Sequence, residues 1–429
     1  MNSDDREIKV VNKWFYRITT SIARVIFVNY FKLSWENTEV VPEKGPVFLL
    51  INHINFFDPM WVYVMLKRPI YFAATEDLFR KRFIGQLLKW FGGFPKRKGN
   101  NDYRAVRSIM EVIKKGGIIG IFPEGVRTWD GLNSPMIPTI ARLIKKLKIP
   151  VVTCRMVGGY LAYPRWAKKW RRIPVKGIFK KLYNGNDIPD DEDQIYRDIN
   201  ESLRNIDYEL DIKPDKYHYH GLAVDITKVL YRCPSCGTME GLKIVKSKNR
   251  NTVECISCFS AWNVTIDARL EPLDENGKPE DTRVPLYEYV RTIKKMPLIP
   301  IRTETRLPLG NNELIYLKSR PHFLFKEETF PNLRVLAFGK AFLTNKRLLF
   351  KTRLGIPLDA DLKEIDYLSI EPGDKFHFMY KGKLYRILFN RESPVKWFDI
   401  ISRLKDNPSQ NNTKDGSEDS TYHPGASSF

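Results

Sequence analysis

Two side chains that could carry out acid–base chemistry follow an apolar run near the start of the chain. Residues 47–51 are all apolar and predict a buried strand, which runs into Asn52 and His53, with Asp58 five residues after the histidine. A histidine at the end of a strand can act as a general base, because strand ends open into clefts. A carboxylate beside it would fix the tautomer of the imidazole and stabilise the imidazolium that forms when the ring takes a proton.

The spacing of this pair restricts how the two side chains can meet. On a straight helix, residues five apart point about 140° away from each other, so His53 and Asp58 can meet only across a turn. Asp58 and Pro59 are typical of a helix start, which places that turn at residues 54–57. The pair also has a plainer interpretation, in which Asp58 only caps the helix and His53 is a buried histidine with satisfied hydrogen bonds.

A basic turn follows at residues 92–99, where glycines stand at both ends of the segment. Glycines let the backbone approach a ligand closely, and the side chains of Arg97 and Lys98 can bind phosphate. The segment therefore predicts an anion-binding turn, although a surface turn without a ligand would have the same composition.

Polar groups also follow the apolar run 118–122, which predicts a second strand. Glu124, Gly125 and Arg127 come directly after it, so that a carboxylate, a glycine and a guanidinium lie at the carboxyl end of that strand. A third strand is predicted to begin near residue 150. Each loop could be ordinary turn chemistry, but several such loops in one domain indicate a shared site.

These segments, taken in order, resemble the motifs of the glycerolipid acyltransferase family, the 1-acylglycerol-3-phosphate acyltransferases and their relatives. The resemblance covers about residues 35–215, and its motifs are Asn52-His53 with Asp58, residues 92–99, residues 122–128 and residues 149–151. Four motifs in this order are specific for the family, though not for the substrate.

The resemblance implies a reaction and roles for these residues. His53 would deprotonate the hydroxyl of a lysophospholipid, with Asp58 orienting the ring, and that hydroxyl would attack the thioester of acyl-CoA or acyl carrier protein. The residues expected to bind the acceptor are Arg97 and Lys98 at its phosphate, Glu124 and Gly125 at its seat, and Arg127 at a charged group. General-base catalysis of this kind is worth about 10²–10⁴-fold in rate.

One position departs from the family pattern. Relatives often carry a lysine that assists phosphate binding in the segment matching residues 74–79, whereas this chain has Thr75 there, next to Glu76. Losing a cation beside an anionic substrate makes a larger lysophospholipid, or another hydroxyl lipid, a plausible acceptor besides lysophosphatidate.

The elements that must position these residues predict an α/β acyltransferase domain, a mixed sheet flanked by helices, over residues 35–215. Strands are expected at 47–51, 118–122 and 150–153. Between the first two, residues 102–115 predict a helix whose apolar face is Val106, Ile109 and Ile113.

Four of the five cysteines form two CxxC pairs within residues 216–265, namely Cys233 with Cys236 and Cys255 with Cys258, with 18 residues between the pairs. Four thiolates presented on two short turns predict a closed, structural Zn²⁺ site, a zinc ribbon. His218 and His220 lie nearby but are superfluous as ligands, and Cys154 inside a strand is expected to be a core residue. This cysteine usage suits a reducing compartment.

Residues 285–406 show many short β-type runs and end in one helix, with Ser393 as its N-cap and Pro394 at its first position. Residues 339–350 resemble the core hairpin of pleckstrin-homology-like and GRAM-type domains. That resemblance implies that Lys346 and Arg347 could bind lipid headgroups, and a scaffold that only packs on the enzyme is the alternative. Residues 407–429, rich in Asn, Ser, Gly and Asp, are expected to be disordered.

The charge predicts an anionic partner, because 71 Lys and Arg residues against 50 Asp and Glu residues give a net charge of +21. An amphipathic, membrane-associating helix is expected within residues 1–34, with lysines and arginines on one face. Its apolar stripe is predicted to be Val11, Trp14, Ile18, Ile22 and Val25. The same helix could instead pack on the catalytic core.

A second segment with membrane character contains Trp166 and Trp170 among lysines and arginines, a composition that suits the headgroup layer. No run approaches the roughly 18–20 apolar residues that a spanning helix needs. The expectation is therefore a peripheral protein on the cytoplasmic face of a membrane.

Two other function classes fit parts of the sequence. A catalytically inactive scaffold that recognises anionic membranes would share the charge and the amphipathic helix. A nucleic-acid-associated zinc protein would share the charge and the cysteine pairs, but no nucleic-acid-binding motif is present, so the sequence argues against nucleic acid as a partner.

Overall fold

The computed structural model describes residues 11–79, 82–96, 103–212, 219–246, 249–303, 307–329, 332–390 and 392–406. The expected disordered tail at 407–429 lies outside these residues, as do Arg97, Lys98 and His218. Within the described residues, three sheets follow one another along the chain.

The first sheet is mixed, as the sequence predicts for the α/β domain. Its strands are β1 (Ser34–Glu36), β2 (Val47–Ile51), β3 (Ile70–Thr75), β4 (Phe94–Lys96), β5 (Ile118–Ile121), β6 (Val151–Val157) and β7 (Lys176–Tyr183), in the spatial order β1-β7-β6-β2-β5-β3-β4. All neighbours are parallel except β6 and β7. Every side chain of β2 is buried, which explains its unbroken apolar sequence: both faces of a central parallel strand are covered.

Helices connect and flank these strands. They are α1 (Lys13–Phe31), α2 (Asp58–Met65), α3 (Glu76–Phe79), α4 (Arg82–Trp90), α5 (Tyr103–Lys114), α6 (Thr139–Leu147), α7 (Gly159–Ala162) and α8 (Glu192–Ser202). Helix α5 lies where the sequence predicts a helix, but it buries Ala105, Ile109 and Val112. The predicted face is therefore rotated, since Val106 and Ile113 are only half-buried.

Helix α1 packs on helix α2 with one face and exposes apolar residues on the other. Asn12 caps it by accepting from the backbone N–H groups of the first turn, and on the packed face the Tyr16 hydroxyl donates to the Tyr63 carbonyl in α2 at 2.9 Å. The exposed apolar face is Trp14, Ile18, Ile22, Val25 and Ile26, each more than half exposed. Val11 was predicted in this stripe, but it precedes the helix and is buried. No helix among the described residues combines the length and the apolar character needed to cross a bilayer.

The segment containing Trp166 and Trp170 divides between core and surface. Trp166 is buried, and its indole N–H donates to the Tyr160 hydroxyl, whereas Trp170 is 47% exposed. The prediction of a headgroup-facing side chain is therefore wrong for Trp166. Neighbouring Arg171 is also buried and donates to the Ile266 carbonyl at 2.8 Å, which ties the segment to the next part of the chain.

The second sheet is small and antiparallel, in the order β12-β11-β10-β9-β8. Its strands are β8 (Leu242–Ile244), β9 (Thr252–Cys255), β10 (Ala261–Val264), β11 (Arg269–Pro272) and β12 (Val284–Pro285), and helix α9 (Leu286–Lys295) follows. The sheet extends past residue 265, the predicted end of the cysteine region. Strands β11 and β12 were missed because each is short and only weakly apolar.

The third sheet is antiparallel throughout, in the order β16-β15-β14-β13-β19-β18-β17. It consists of β13 (Ile315–Thr329), β14 (Asn332–Thr344), β15 (Arg347–Lys351), β16 (Leu358–Asp361), β17 (Ile365–Glu371), β18 (Lys375–Tyr380) and β19 (Lys383–Leu388). Helix α10 (Pro394–Asp406) closes this region. The predicted cap is confirmed, since the Ser393 hydroxyl oxygen accepts from the Lys396 N–H at 3.1 Å.

Candidate active site

The carboxyl end of β2 is fixed to its neighbour β6 before the chain reaches the histidine. The Asn52 side chain donates to the Met156 carbonyl at 3.0 Å and accepts from the Met156 N–H at 2.7 Å. Asn52 is fully buried, so these two bonds replace the water that its amide loses. The motif includes Asn52 without indicating a role for it, and its place at the end of an apolar strand is the signal in the sequence for this anchoring contact.

His53 and Asp58 meet across the predicted turn. The distance from His53 Nδ1 to Asp58 Oδ2 is 3.0 Å, and the same oxygen accepts from the N–H groups of Ile54 at 2.9 Å and Asn55 at 2.8 Å. One carboxylate oxygen therefore shapes the turn and orients the imidazole. With Nδ1 donating to Asp58, Nε2 is the ring atom that can accept a proton from a substrate.

Burial decides the electrostatics of this pair. Asp58 has no exposed surface, and burial raises the pKa of its carboxyl well above the usual range, while the two backbone N–H donors and the charge of Arg127 act in the opposite direction. The His53 side chain is 19% exposed and stacks on the Phe122 ring at 4.2 Å. The imidazole is thus held on two sides and can still be reached from outside.

Glu124 anchors the loop after β5 to the histidine. Its Oε1 accepts from the His53 N–H at 3.1 Å and from the Asn133 side chain at 2.9 Å, and its Oε2 accepts from the Ser134 N–H at 2.9 Å. Burial raises the pKa of Glu124 to about 7 against the effect of these donors. Both oxygens are engaged by the protein, so these contacts give Glu124 a positioning role besides the predicted one of seating the acceptor.

The same loop is fixed to the histidine at a second point, where the Thr128 N–H donates to the His53 carbonyl at 3.2 Å. Between the two anchors, Gly125 has a φ of +67°, and a Cβ atom there would lie 2.9 Å from the Ile137 Cδ1 atom. Both facts favour glycine at this position. The loop therefore follows the backbone of His53 closely.

Arg127 leaves this loop beside His53 and Asp58. Its guanidinium lies 5.7 Å above the Phe56 ring, and the side chain is half-buried. Burial lowers the pKa of Arg127, and the negative charge of Asp58 raises it. A guanidinium at this place can bind an anionic group of a substrate.

The structure places Thr75 at the end of β3, where its register partner in β4 is Lys96. Thr75 stands where relatives often carry a lysine, so the sequence alone predicts that this region has lost a cation. Pairing of β3 with β4 brings Lys96 next to that position, a neighbour that motif reading alone does not reveal.

The two predicted headgroup ligands of the third sheet are differently placed. Arg347 donates to Glu313 at 2.8 Å and to Asp359 at 2.6 Å, so its charge is already balanced by two carboxylates. Lys346 is exposed, and its ammonium donates to the Asn311 carbonyl at 2.9 Å. These contacts give Arg347 a structural role, and the headgroup role of both residues stays a prediction.

The four cysteines of the two CxxC pairs form one cluster, in which all four sulfur atoms lie within 4.8 Å of one another. The Sγ–Sγ distances between Cys233 and Cys258 and between Cys236 and Cys255 are both 3.7 Å. Tetrahedral zinc with Zn–S bonds of about 2.3 Å requires sulfurs about 3.8 Å apart, so the cluster has the right size for this ion. Cys154 lies apart and is fully buried in β6, as predicted.

Comparison with known proteins bears on the first domain. Residues 32–157 match the family described as Acyltransferase. A 1-acyl-sn-glycerol-3-phosphate acyltransferase of Bacillus subtilis is 27% identical over 144 residues, which cover 33% of this chain and 71% of that protein. The chloroplastic 1-acyl-sn-glycerol-3-phosphate acyltransferase BAT2 of Brassica napus is 24% identical over 34% of this chain and 43% of its own length.

A comparison with solved structures finds the crystal structure of the 1-acyl-sn-glycerophosphate acyltransferase PlsC from Thermotoga maritima. It aligns with a TM-score of 0.40 and 19% identity, over 44% of this chain and 77% of that one. The sequence matches make residues 32–157 similar to the acyltransferase domains of proteins named 1-acyl-sn-glycerol-3-phosphate acyltransferase.

Proposed function

We propose that this protein transfers a fatty acyl group from a thioester, acyl-CoA or acyl carrier protein, to the hydroxyl of a lysophospholipid. The observation that carries the proposal is the contact between His53 Nδ1 and Asp58 Oδ2 at 3.0 Å, on a ring that is 19% exposed. Relatives that share this domain are named for acylation of 1-acyl-sn-glycerol-3-phosphate, so that lipid is the first acceptor to test.

The proposed reaction moves one proton through His53. Nε2 of His53 takes the proton of the acceptor hydroxyl while the hydroxyl oxygen attacks the thioester carbonyl carbon, and buried Asp58 stabilises the resulting imidazolium. The C–S bond of the tetrahedral intermediate then breaks, and the imidazolium returns the proton to the leaving thiolate. The products are the acylated lipid and the free thiol, with His53 neutral again.

The acceptor is held by cations around this pair. Arg127 is placed to bind a charged group of the lipid, and Glu124 and Gly125 shape the loop that carries it. Arg97 and Lys98, which lie outside the described residues, are proposed at the acceptor phosphate from the family resemblance alone.

The test uses purified full-length protein with radiolabelled acyl-CoA or acyl carrier protein and a panel of lysophospholipids that includes lysophosphatidate. His53→Ala is expected to lower kcat by about 10²–10⁴-fold with at least one acceptor. The control variant is His220→Ala, since His220 is exposed and lies far along the chain in the cysteine region.

Transfer by the wild type that survives in His53→Ala would contradict the proposed mechanism. No transfer to any acceptor from either donor, together with retained binding to anionic vesicles, would instead support the scaffold alternative.

We also propose that the four-cysteine cluster binds one structural Zn²⁺. The sulfur separations fit the ion, and the N–H groups of Cys236 and Ser257 point at the sulfurs of Cys233 and Cys255 at 3.5 and 3.4 Å. Four protein ligands would close the coordination shell, so the metal would stabilise this region and take no part in acyl transfer.

The remaining regions are proposed to have roles separate from acyl transfer. Helix α1, with its exposed apolar face, is proposed to lie in the interface of an anionic membrane, which would also hold the lipid substrate. Residues 285–406 are proposed to be a PH-like accessory domain, because seven antiparallel strands are followed by one helix. The domain boundaries are proposals as well, with the cysteine region continued to the end of β12.

A further inference from the structure

One arginine joins the loop that carries Arg127 to the third sheet. Arg165 donates from Nη1 to the Arg127 carbonyl at 2.7 Å and from Nη2 to the Ile370 carbonyl at 2.5 Å, although Ile370 is 205 residues further along the chain. Its guanidinium also lies 4.1 Å above the Trp129 ring. The Arg165 guanidinium therefore contacts the loop of residues 124–128, which we call the acceptor loop. It also contacts the Trp129 ring next to that loop and strand β17.

These contacts complete the support of the loop. On the histidine side, residues 124 and 128 are fixed to the backbone of His53. Arg127 lies between these two anchors and Arg165. Because Arg165 donates a hydrogen bond to the Arg127 carbonyl, it limits where the Arg127 side chain can point. Arginine suits this task, because its rigid fork can donate to two carbonyls at once, whereas a lysine ammonium acts as one point charge.

The charges around Arg165 come from both sides of the contact. Burial and the neighbouring charge of Arg127 lower the pKa of Arg165 to about 9, while Glu371 and Asp374 of the third sheet raise it. The charge of Glu371 also raises the pKa of Arg127. The third sheet thus supplies a carbonyl and negative charge to a site whose catalytic pair belongs to the first domain.

We infer that Arg165 is a positioning residue for acceptor binding, through which strand β17 of the third sheet sets the position of Arg127. The inference rests on the proposed function, since it concerns the binding of the lysophospholipid at that same site. It assigns the C-terminal region a role in substrate binding in addition to any contact with membranes.

The experiment compares acceptor and donor kinetics of full-length variants. Arg165→Met removes both hydrogen bonds, and we expect KM for the lysophospholipid to rise about tenfold while KM for the acyl donor changes less than twofold, since residues in contact are energetically coupled. Arg165→Lys, which keeps the charge and one donor direction, should recover part of the affinity.

Arg171→Met is the matched control. Arg171 lies six residues further on, has its guanidinium 5.4 Å above the Trp166 ring, and donates to the Ile266 carbonyl at 2.8 Å. It therefore resembles Arg165 in chemistry but does not contact the acceptor loop. Equal rises of acceptor KM in both methionine variants would overturn the inference, because they would report a general loss of structure.

A double-mutant cycle with Arg127→Gln gives the decisive readout. If Arg165 acts through Arg127, adding Arg165→Met to Arg127→Gln changes acceptor KM by less than twofold, whereas independent effects would multiply. Multiplying effects overturn the inference. Should Arg165→Met fail to fold, Arg165→Lys enters the same cycle, with an expected rise of about threefold. A wild type without acyl transfer would instead refute the proposed function itself.

Discussion

A single carboxylate oxygen organises the candidate catalytic site. Asp58 Oδ2 accepts two backbone N–H groups of the turn and faces His53 Nδ1, so the shape of the turn and the tautomer of the ring depend on the same atom. This arrangement explains the spacing of five residues. A shorter spacing would leave no room for the turn whose N–H groups hold the carboxylate.

Glu124 leads to a prediction about pH. Its pKa rises from 4.5 to about 7 on folding, so between these values the folded protein retains a proton that the unfolded chain has lost. The free energy of unfolding should therefore fall as pH rises through this window, by about 3 kcal/mol for this group. Glutamine at position 124 resembles the protonated acid and does not titrate.

The measurement is denaturant unfolding of the wild type and Glu124→Gln at pH 5 and pH 8. Because other buried acids titrate in both proteins, only the difference between the two unfolding free energies is informative. We expect the stability of the wild type relative to the variant to decrease by about 3 kcal/mol from pH 5 to pH 8. A difference that does not change with pH would show that Glu124 is ionised throughout.

At the scale of elements, the sequence predicts what depends on neighbours in the chain. The strand before His53, the turn and helix start at Asp58, and the cap at Ser393 were all identified, because each rests on local backbone requirements. The buried face of α5 was misplaced by one residue, since several faces of a short helix carry apolar residues and tertiary packing selects among them.

Contacts between distant segments were beyond that reasoning. The basic neighbours of Trp166 predict a side chain at a membrane surface, yet Trp166 is buried in the folded chain. Arg165 is one of several cations in the same stretch, and nothing local distinguishes it. Its partners, the carbonyls of Arg127 and Ile370, are backbone atoms that leave no mark in the sequence.

The second sheet provides a prediction about metal. Purified protein should contain about one zinc per chain, and a strong chelator in reducing buffer should lower its melting temperature, because the free energy of zinc binding stabilises the fold that presents the ligands. Cys236→Ser should lose most of the zinc, while Cys154→Ser, a change in the core of β6, should keep it. Metal analysis and thermal unfolding measure both effects.

Loss of zinc should also lower the stability of the domain that contains the first sheet. The second sheet and its neighbours contact it where Arg171 donates to the Ile266 carbonyl and Arg269 donates to the Tyr208 carbonyl. A chain that binds no zinc, and whose melting is unchanged by the chelator, would leave the cysteine cluster without the proposed ion.

At the scale of the whole molecule, helix α1 is connected to His53 and Asp58 through helix α2. Helix α1 contacts α2 through the bond from Tyr16 to the Tyr63 carbonyl, and Arg24 donates to the Val64 carbonyl. Helix α2 begins at Asp58. A membrane that binds the outer face of α1 would therefore also fix the orientation of α2, whose Asp58 contacts His53. Membrane binding would then orient the site at the same time.

This arrangement predicts how vesicle binding depends on α1. The double variant Ile18→Ser and Ile22→Ser removes two exposed apolar side chains, and we expect its affinity for vesicles rich in anionic lipid to fall about tenfold or more, since burying one isoleucine is worth about 1.5–3 kcal/mol. Asn29→Ser, an exposed change on the same helix, should bind like the wild type.

Raising the salt concentration should weaken vesicle binding by all three proteins, because salt screens the excess of positive charge. The ratio of vesicle affinities between the double variant and the wild type should persist, because apolar insertion is not screened. Vesicle sedimentation measures these affinities, and equal binding by all three at every salt concentration would mean that the exposed face of α1 does not enter the membrane.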